Sequence, residues 1–110
     1  MQFAETTACG EIITAPKLDK MPNGKMVCDF DLSVSHPNPG GGRAQIYHVS
    51  ILNTNAATVW SQVRQGDEVT VIGQAAADLY TDAAGTLWPR LKLRCNFIRY
   101  SQPVFDRMNT

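Results

Sequence analysis

An all-β domain with one short helix is the fold class that the sequence predicts, and three observations carry it. Apolar and polar residues alternate at period two along several short runs. One segment between the third and fourth runs switches to helical spacing. Turn-forming residues stand at the junctions.

The elements follow in order. "MPNG", residues 21–24, supplies a turn, with Pro22 fixing φ and Asn23-Gly24 tolerating positive φ. A first strand runs up to it. Beyond it, "MVCDFDLSVS" places Met26, Cys28, Phe30, Leu32 and Val34 on one face and Asp29, Asp31, Ser33 and Ser35 on the other. That is the pattern of a half-buried strand. "HPNPGGG", residues 36–42, cannot hold regular structure and reads as a loop. "QIYHVSIL" is a third strand with Tyr47, Val49 and Ile51 together and His48 facing away from them.

In "NAATVWSQVRQG" the period changes. Ala56, Val59, Trp60 and Val63 form one helical stripe that packs on the core, with Asn53 or Asn55 as cap and Gly66 as stop. "DEVTVIGQAAADLY" and "LWPRLKLRCNFIRY" are two further strands joined by "TDAAG". Five strands with a helix between the third and fourth is the order of a Greek-key barrel, the OB-fold. It is expected over residues 1–102, with 103–110 a short irregular tail.

The last hairpin has a definite expected register. A loop of Ala83-Ala84-Gly85, with Gly85 at positive φ, sets Tyr80 opposite Trp88, Asp78 opposite Arg90 and Gln74 opposite Arg94. It also sets Val71, Ala75, Ala77 and Leu79 opposite Phe97, Leu93, Leu91 and Pro89, so the apolar positions share the other face. A slip of one residue would mix the faces. Tyr80, Trp88, Arg90, Lys92 and Arg94 then lie together on a solvated face. Taken alone, that face reads first as the polar side of an amphipathic strand meeting water; the alternative is an aromatic-and-cation platform for a single nucleic-acid strand, on which bases stack and phosphates pair.

Bulk properties narrow the class. Ten basic residues balance ten acidic ones, so a nucleic-acid role must rest on where the charges lie. The cysteines, Cys9, Cys28 and Cys95, are odd in number and lack metal spacing; each reads as a small buried hydrophobe in a reducing compartment. No signal peptide or membrane span is expected, which makes the cytoplasm the expected location. His36 and His48 are the only histidines, and no paired carboxylates or metal ligands stand out, so neither an enzyme nor a cofactor is expected.

The chain resembles the bacterial single-stranded DNA-binding proteins over residues 5–100. Gly10, Ile12, Pro16 and Pro22-Asn23-Gly24 match that family's opening hairpin. "VTVIGQAAADLYTDAAG" is similar to its fourth strand, ending in an aromatic-Thr-Asp-x-x-Gly turn. The resemblance implies single-stranded DNA as partner, a homotetramer or dimer, a nucleoid location and a role beside replication, recombination or repair proteins. It makes Tyr80 a base-stacking residue and adds Trp88, Arg90, Lys92, Arg94, His48 and the loop residue Arg43 as candidate contacts. The sequence also departs from the family. Leu52-Asn53 replaces an aromatic, Asp29 and Asp31 face outward, and "DRMNT" is unlike the family's acidic tail. These features suit a divergent member, or an OB-fold protein-interaction module of a primosome type.

Overall fold

The structure is a computed structural model that describes residues 5–35 and 45–100. Arg43, His36, the glycine loop and the tail lie outside the described residues. Along the chain come β1 (Glu5–Ile12), β2 (Lys17–Lys20), β3 (Met26–Val34), β4 (Gln45–Leu52), α1 (Thr54–Gln62), β5 (Glu68–Thr81) and β6 (Leu87–Tyr100). The first of the five expected strands is therefore broken into β1 and β2. The break falls at residues 13–16, ending on Pro16, which has no N–H to give to a ladder.

The strands close into a ring, the OB-fold barrel. β1 pairs antiparallel with β5, β5 with β6, and β4 with β3, while β4 and β6 run parallel. β3 returns to β1 through Glu11↔Ser33 and Ile12↔Leu32, and β2 prolongs the sheet along β3. Inside sit Phe30, Leu32, Val49, Val71 and Leu93, each at most 2% exposed. The alternation in β3 thus does what it predicts: Cys28, Phe30 and Leu32 are buried.

Helix α1 covers one end of the barrel with Ala56 and Val59, and Val63 at its C-cap joins them, all buried. Trp60 departs from the expected core stripe. It is 45% exposed and lies along the bend before β2, where its indole N–H donates to the Pro16 carbonyl at 3.2 Å. Asn53 stands at the N-cap with φ 69° but makes no side-chain cap bond. After the helix, Asp67 takes the Arg64 backbone N–H on its carboxylate at 2.8 Å, and the Gly66 N–H donates to the Ile12 carbonyl at 2.7 Å. These bonds pin the entry to β5 against the end of β1.

The β5–β6 hairpin has the expected loop. Gly85 has φ 82°, its N–H donates to the Asp82 carbonyl at 3.0 Å, and the Asp82 N–H donates to the Thr86 carbonyl at 3.0 Å. The Asp82 carboxylate also accepts the N–H groups of Ala84 and Thr86. Tyr80↔Trp88, Asp78↔Arg90, Gln74↔Arg94, Ala75↔Leu93, Ala77↔Leu91 and Leu79↔Pro89 are all register partners. Nearer the barrel end the expectation fails. A β-bulge at Asn96 shifts the ladder from Gly73↔Cys95 to Ile72↔Phe97, so Val71 meets Ile98 and Phe97 turns outward at 54% exposure. Gly73 permits the bulge, because a Cβ there would run into the Arg94 carbonyl oxygen. The apolar side of the arm is not core either: Leu79 and Leu87 are 65% and 62% exposed, beyond the barrel's reach.

Cys28 is fully buried and Cys95 half-buried, but Cys9 is exposed, against expectation, because β1 turns it outward. Burial pushes both Cys28 and Cys95 thiols up to about 11; the Asp29 charge adds to the effect at Cys28, and the Phe97 backbone N–H partly offsets it at Cys95.

Two outcomes follow for stability. Gly73→Ala should lower stability by about 1–3 kcal/mol in urea unfolding, by forcing Arg94 and the bulge to move. Thiols that ionise less readily folded than unfolded leave stability intact below pH 9 and erode it as pH rises toward about 11. The urea midpoint should therefore fall between pH 8 and pH 10.5, and fall less in a Cys28→Ala/Cys95→Ala variant, each read against its own value at the lower pH.

Candidate nucleic-acid interface

The parallel pairing of β4 with β6 joins five strands into one outward surface. Because directly paired residues share a face, the registers can be read across as rows. One row runs Lys17, Asp29, Ser50, Arg94, Gln74 across β2, β3, β4, β6 and β5. The next runs Asp31, His48, Lys92, Ala76. Along the arm follow Arg90 with Asp78, then Trp88 with Tyr80.

The sequence-predicted residues therefore fall on one continuous surface, apart from Arg43, which lies outside the described residues. Arg90, Lys92 and Arg94 occupy alternate positions of β6, about 6.8 Å apart by the rise of a strand. The Tyr80 and Trp88 positions continue that line toward the hairpin tip. His48 sits one strand away, beside Lys92.

The surface is sorted by charge across the strands. β6 presents a basic row, β4 presents His48 and Ser50, and β3 presents Asp29 and Asp31. The acidic pair is tied to β4. His48 Nδ1 lies 3.0 Å from Asp31 Oδ1, and its Nε2 lies 3.5 Å from Asp29 Oδ1. Ser50 Oγ donates to Asp29 Oδ1 at 2.6 Å. His48 and Asp31 keep about a third of their side-chain surface exposed, at 32% and 35%. A neutral imidazole carries one N–H and serves one carboxylate; a protonated one serves both.

This bracket of two aspartates around one histidine is what reading the residues in isolation misses. The outward parity of Asp29, Asp31 and His48 is plain in the sequence. Their meeting depends on the β3–β4 register, which the sequence between the two strands, "HPNPGGG" included, does not set. Lys20 and Lys25 are exposed at the β2–β3 turn. Among the described residues no three histidine, cysteine or acidic groups gather to hold a metal ion, and no helix is long and apolar enough to cross a membrane.

The family described as the single-strand binding protein family matches the chain over residues 3–99. Among solved structures, the fold is similar to the crystal structure of a small single-stranded DNA-binding protein from Streptomyces coelicolor, with a TM-score of 0.81. That alignment covers 94% of this chain and 98% of the other, at 18% sequence identity, so the likeness is one of fold. No curated protein matches the chain in sequence.

Because the His48–Asp31 pair is partly exposed, its stabilising effect should be small. A double-mutant cycle with His48→Ala and Asp31→Ala should give a coupling of about 0.2–1 kcal/mol in urea unfolding. A coupling of several kcal/mol would show the bracket to be a structural clamp.

Proposed function

Since the chain belongs to the single-strand binding protein family, whose members bind single-stranded DNA and catalyse no reaction, we propose that it holds single strands by stacking bases on Tyr80 and Trp88 and pairing phosphates with Arg90, Lys92 and Arg94. One observation carries this reading. The Tyr80↔Trp88 pair stands in line with three cations on alternate positions of the same strand. Flat rings and evenly spaced cations are what an extended strand needs when no base sequence is read. His48 borders the path from β4.

The biological setting that fits is protection of exposed single strands during replication, recombination or repair, in the cytoplasm at the nucleoid. A homo-oligomer, tetramer or dimer, suits it, because linked domains multiply a modest single-site affinity. The edge of β1 supports assembly. β1 pairs with β5 along Glu5–Glu11 but meets β3 only at Glu11 and Ile12, which leaves a length of strand edge without a partner among the described residues.

Two tryptophans would confuse a fluorescence readout, so the test starts from Trp60→Phe. Adding oligo(dT) should quench the remaining Trp88 emission, and binding should weaken as salt rises. Trp88→Ala, followed by gel shift, and Tyr80→Ala should each cost about 1–3 kcal/mol of binding. If no quenching and no gel shift occur at low salt, the surface is a protein-interaction face instead. If both alanine variants bind as well as the parent, stacking lies elsewhere.

A further inference from the structure

One concavity lies on the surface just described, and its lining is unlike the rest. A groove of about 350 Å³ opens where β3, β4 and β6 approach the β2–β3 turn. Its floor is aliphatic. Val27 and Leu52 are register partners, and Met21 closes the floor from the turn, held there by its N–H to the Lys25 carbonyl at 2.7 Å. All three are half-buried. Lys92 and Arg94 bound it on the β6 side, and Asp29 bounds it on the β3 side.

We propose that this groove is a nucleobase subsite that selects by base edge, taking cytosine or adenine in preference to thymine. The inference rests on the single-strand-binding reading and adds to it a bias that the stacking platform cannot supply. A flat ring laid on Met21, Val27 and Leu52 removes apolar surface from water, and a thioether adapts readily to a ring face. The cations of β6 take the phosphate of the same nucleotide.

Asp29 then meets the edge of the base. Its contacts with Ser50 and His48 both fall on Oδ1, at 2.6 and 3.5 Å. That leaves Oδ2 outside both contacts, on a residue that lines the groove, as the acceptor assigned to the base. An ionised carboxylate can only accept. Cytosine offers its N4 amino group and adenine its N6 amino group, whereas thymine places the carbonyl O4 there. Oxygen facing oxygen is repulsive, so thymine loses what the amino bases gain.

Charge and readout are separable by experiment. Asp31 sits one row along, also touches His48, and is not part of the groove lining. Asp29→Asn and Asp31→Asn remove the same charge, so each should tighten binding to oligo(dT). Only Asp29→Asn should change selectivity, because an amide can donate to O4 as well as accept from N4. The readout is the ratio of oligo(dC) to oligo(dT) affinity at one length and one salt concentration, by fluorescence titration. Taking the ratio against the parent cancels intrinsic differences between the two homopolymers. The ratio should fall about tenfold in Asp29→Asn, the worth of one hydrogen bond to a charged group, and stay within about twofold of the parent in Asp31→Asn. An unchanged ratio in Asp29→Asn, or an equal fall in both variants, would overturn the subsite while leaving single-strand binding intact. Failure of the parent to bind any oligonucleotide would overturn the single-strand-binding reading itself, and the subsite with it.

Discussion

Four residue pairs between parallel strands hold this molecule's two halves together: Tyr47↔Leu91, His48↔Lys92, Val49↔Leu93 and Ser50↔Arg94. Parallel pairing needs a long crossover, and the chain supplies it with α1 and β5. The inward members of the pairing, Val49 and Leu93, are completely buried. The outward members bring a basic row against a polar one. Core closure and the sorted surface are therefore one event. Loss of the β4–β6 ladder would open the barrel and would also part the cations of β6 from the His48 bracket.

β6 can serve both roles because it changes face partway. From Arg90 to Cys95 its outward positions carry Arg90, Lys92 and Arg94. The bulge at Asn96 then turns Ile98 and Tyr100 onto the core and puts Phe97 and Arg99 outside, with the guanidinium 5.7 Å from the ring centre. Without the extra residue, the barrel end of β6 would aim Phe97 and Arg99 at the core. Gly73 on the facing strand is the concession that lets the backbone come close enough.

How much of this was legible in the sequence depended on loop length more than on periodicity. The hairpin register was legible because a loop of Ala83-Ala84-Gly85 allows few geometries, and Gly85 marks the positive φ. The β3–β4 register was not, since the glycine loop between those strands sets no pairing, and so the His48–Asp31–Asp29 contacts stayed hidden. The bulge did leave a trace. Apolar positions in "LRCNFIRY" move from odd numbers at Leu93 and Cys95 to even ones at Ile98 and Tyr100, but Phe97 between them keeps the old parity and masks the change. Trp60 misled for another reason. A stripe at helical spacing says which way a residue points, not whether a short helix has barrel beneath it at that place.

The zero net charge of the chain becomes intelligible once the charges are placed. β3 and β6 are separated by β4, so their outward rows stand about 10 Å apart, two strand spacings. The Debye length is about 8 Å at physiological salt. A phosphate lying on the β6 row thus meets its cations in contact while the β3 carboxylates are screened. At low salt the screening fades and the carboxylates reach further. Attraction and repulsion are then modulated by the same ions, and the net salt dependence is gentler than three cations alone would produce. A surface of this kind does not need an excess of positive charge. It needs the β3 carboxylates kept one strand away from the β6 row, with Asp78 beside Arg90 as the acidic position next to it.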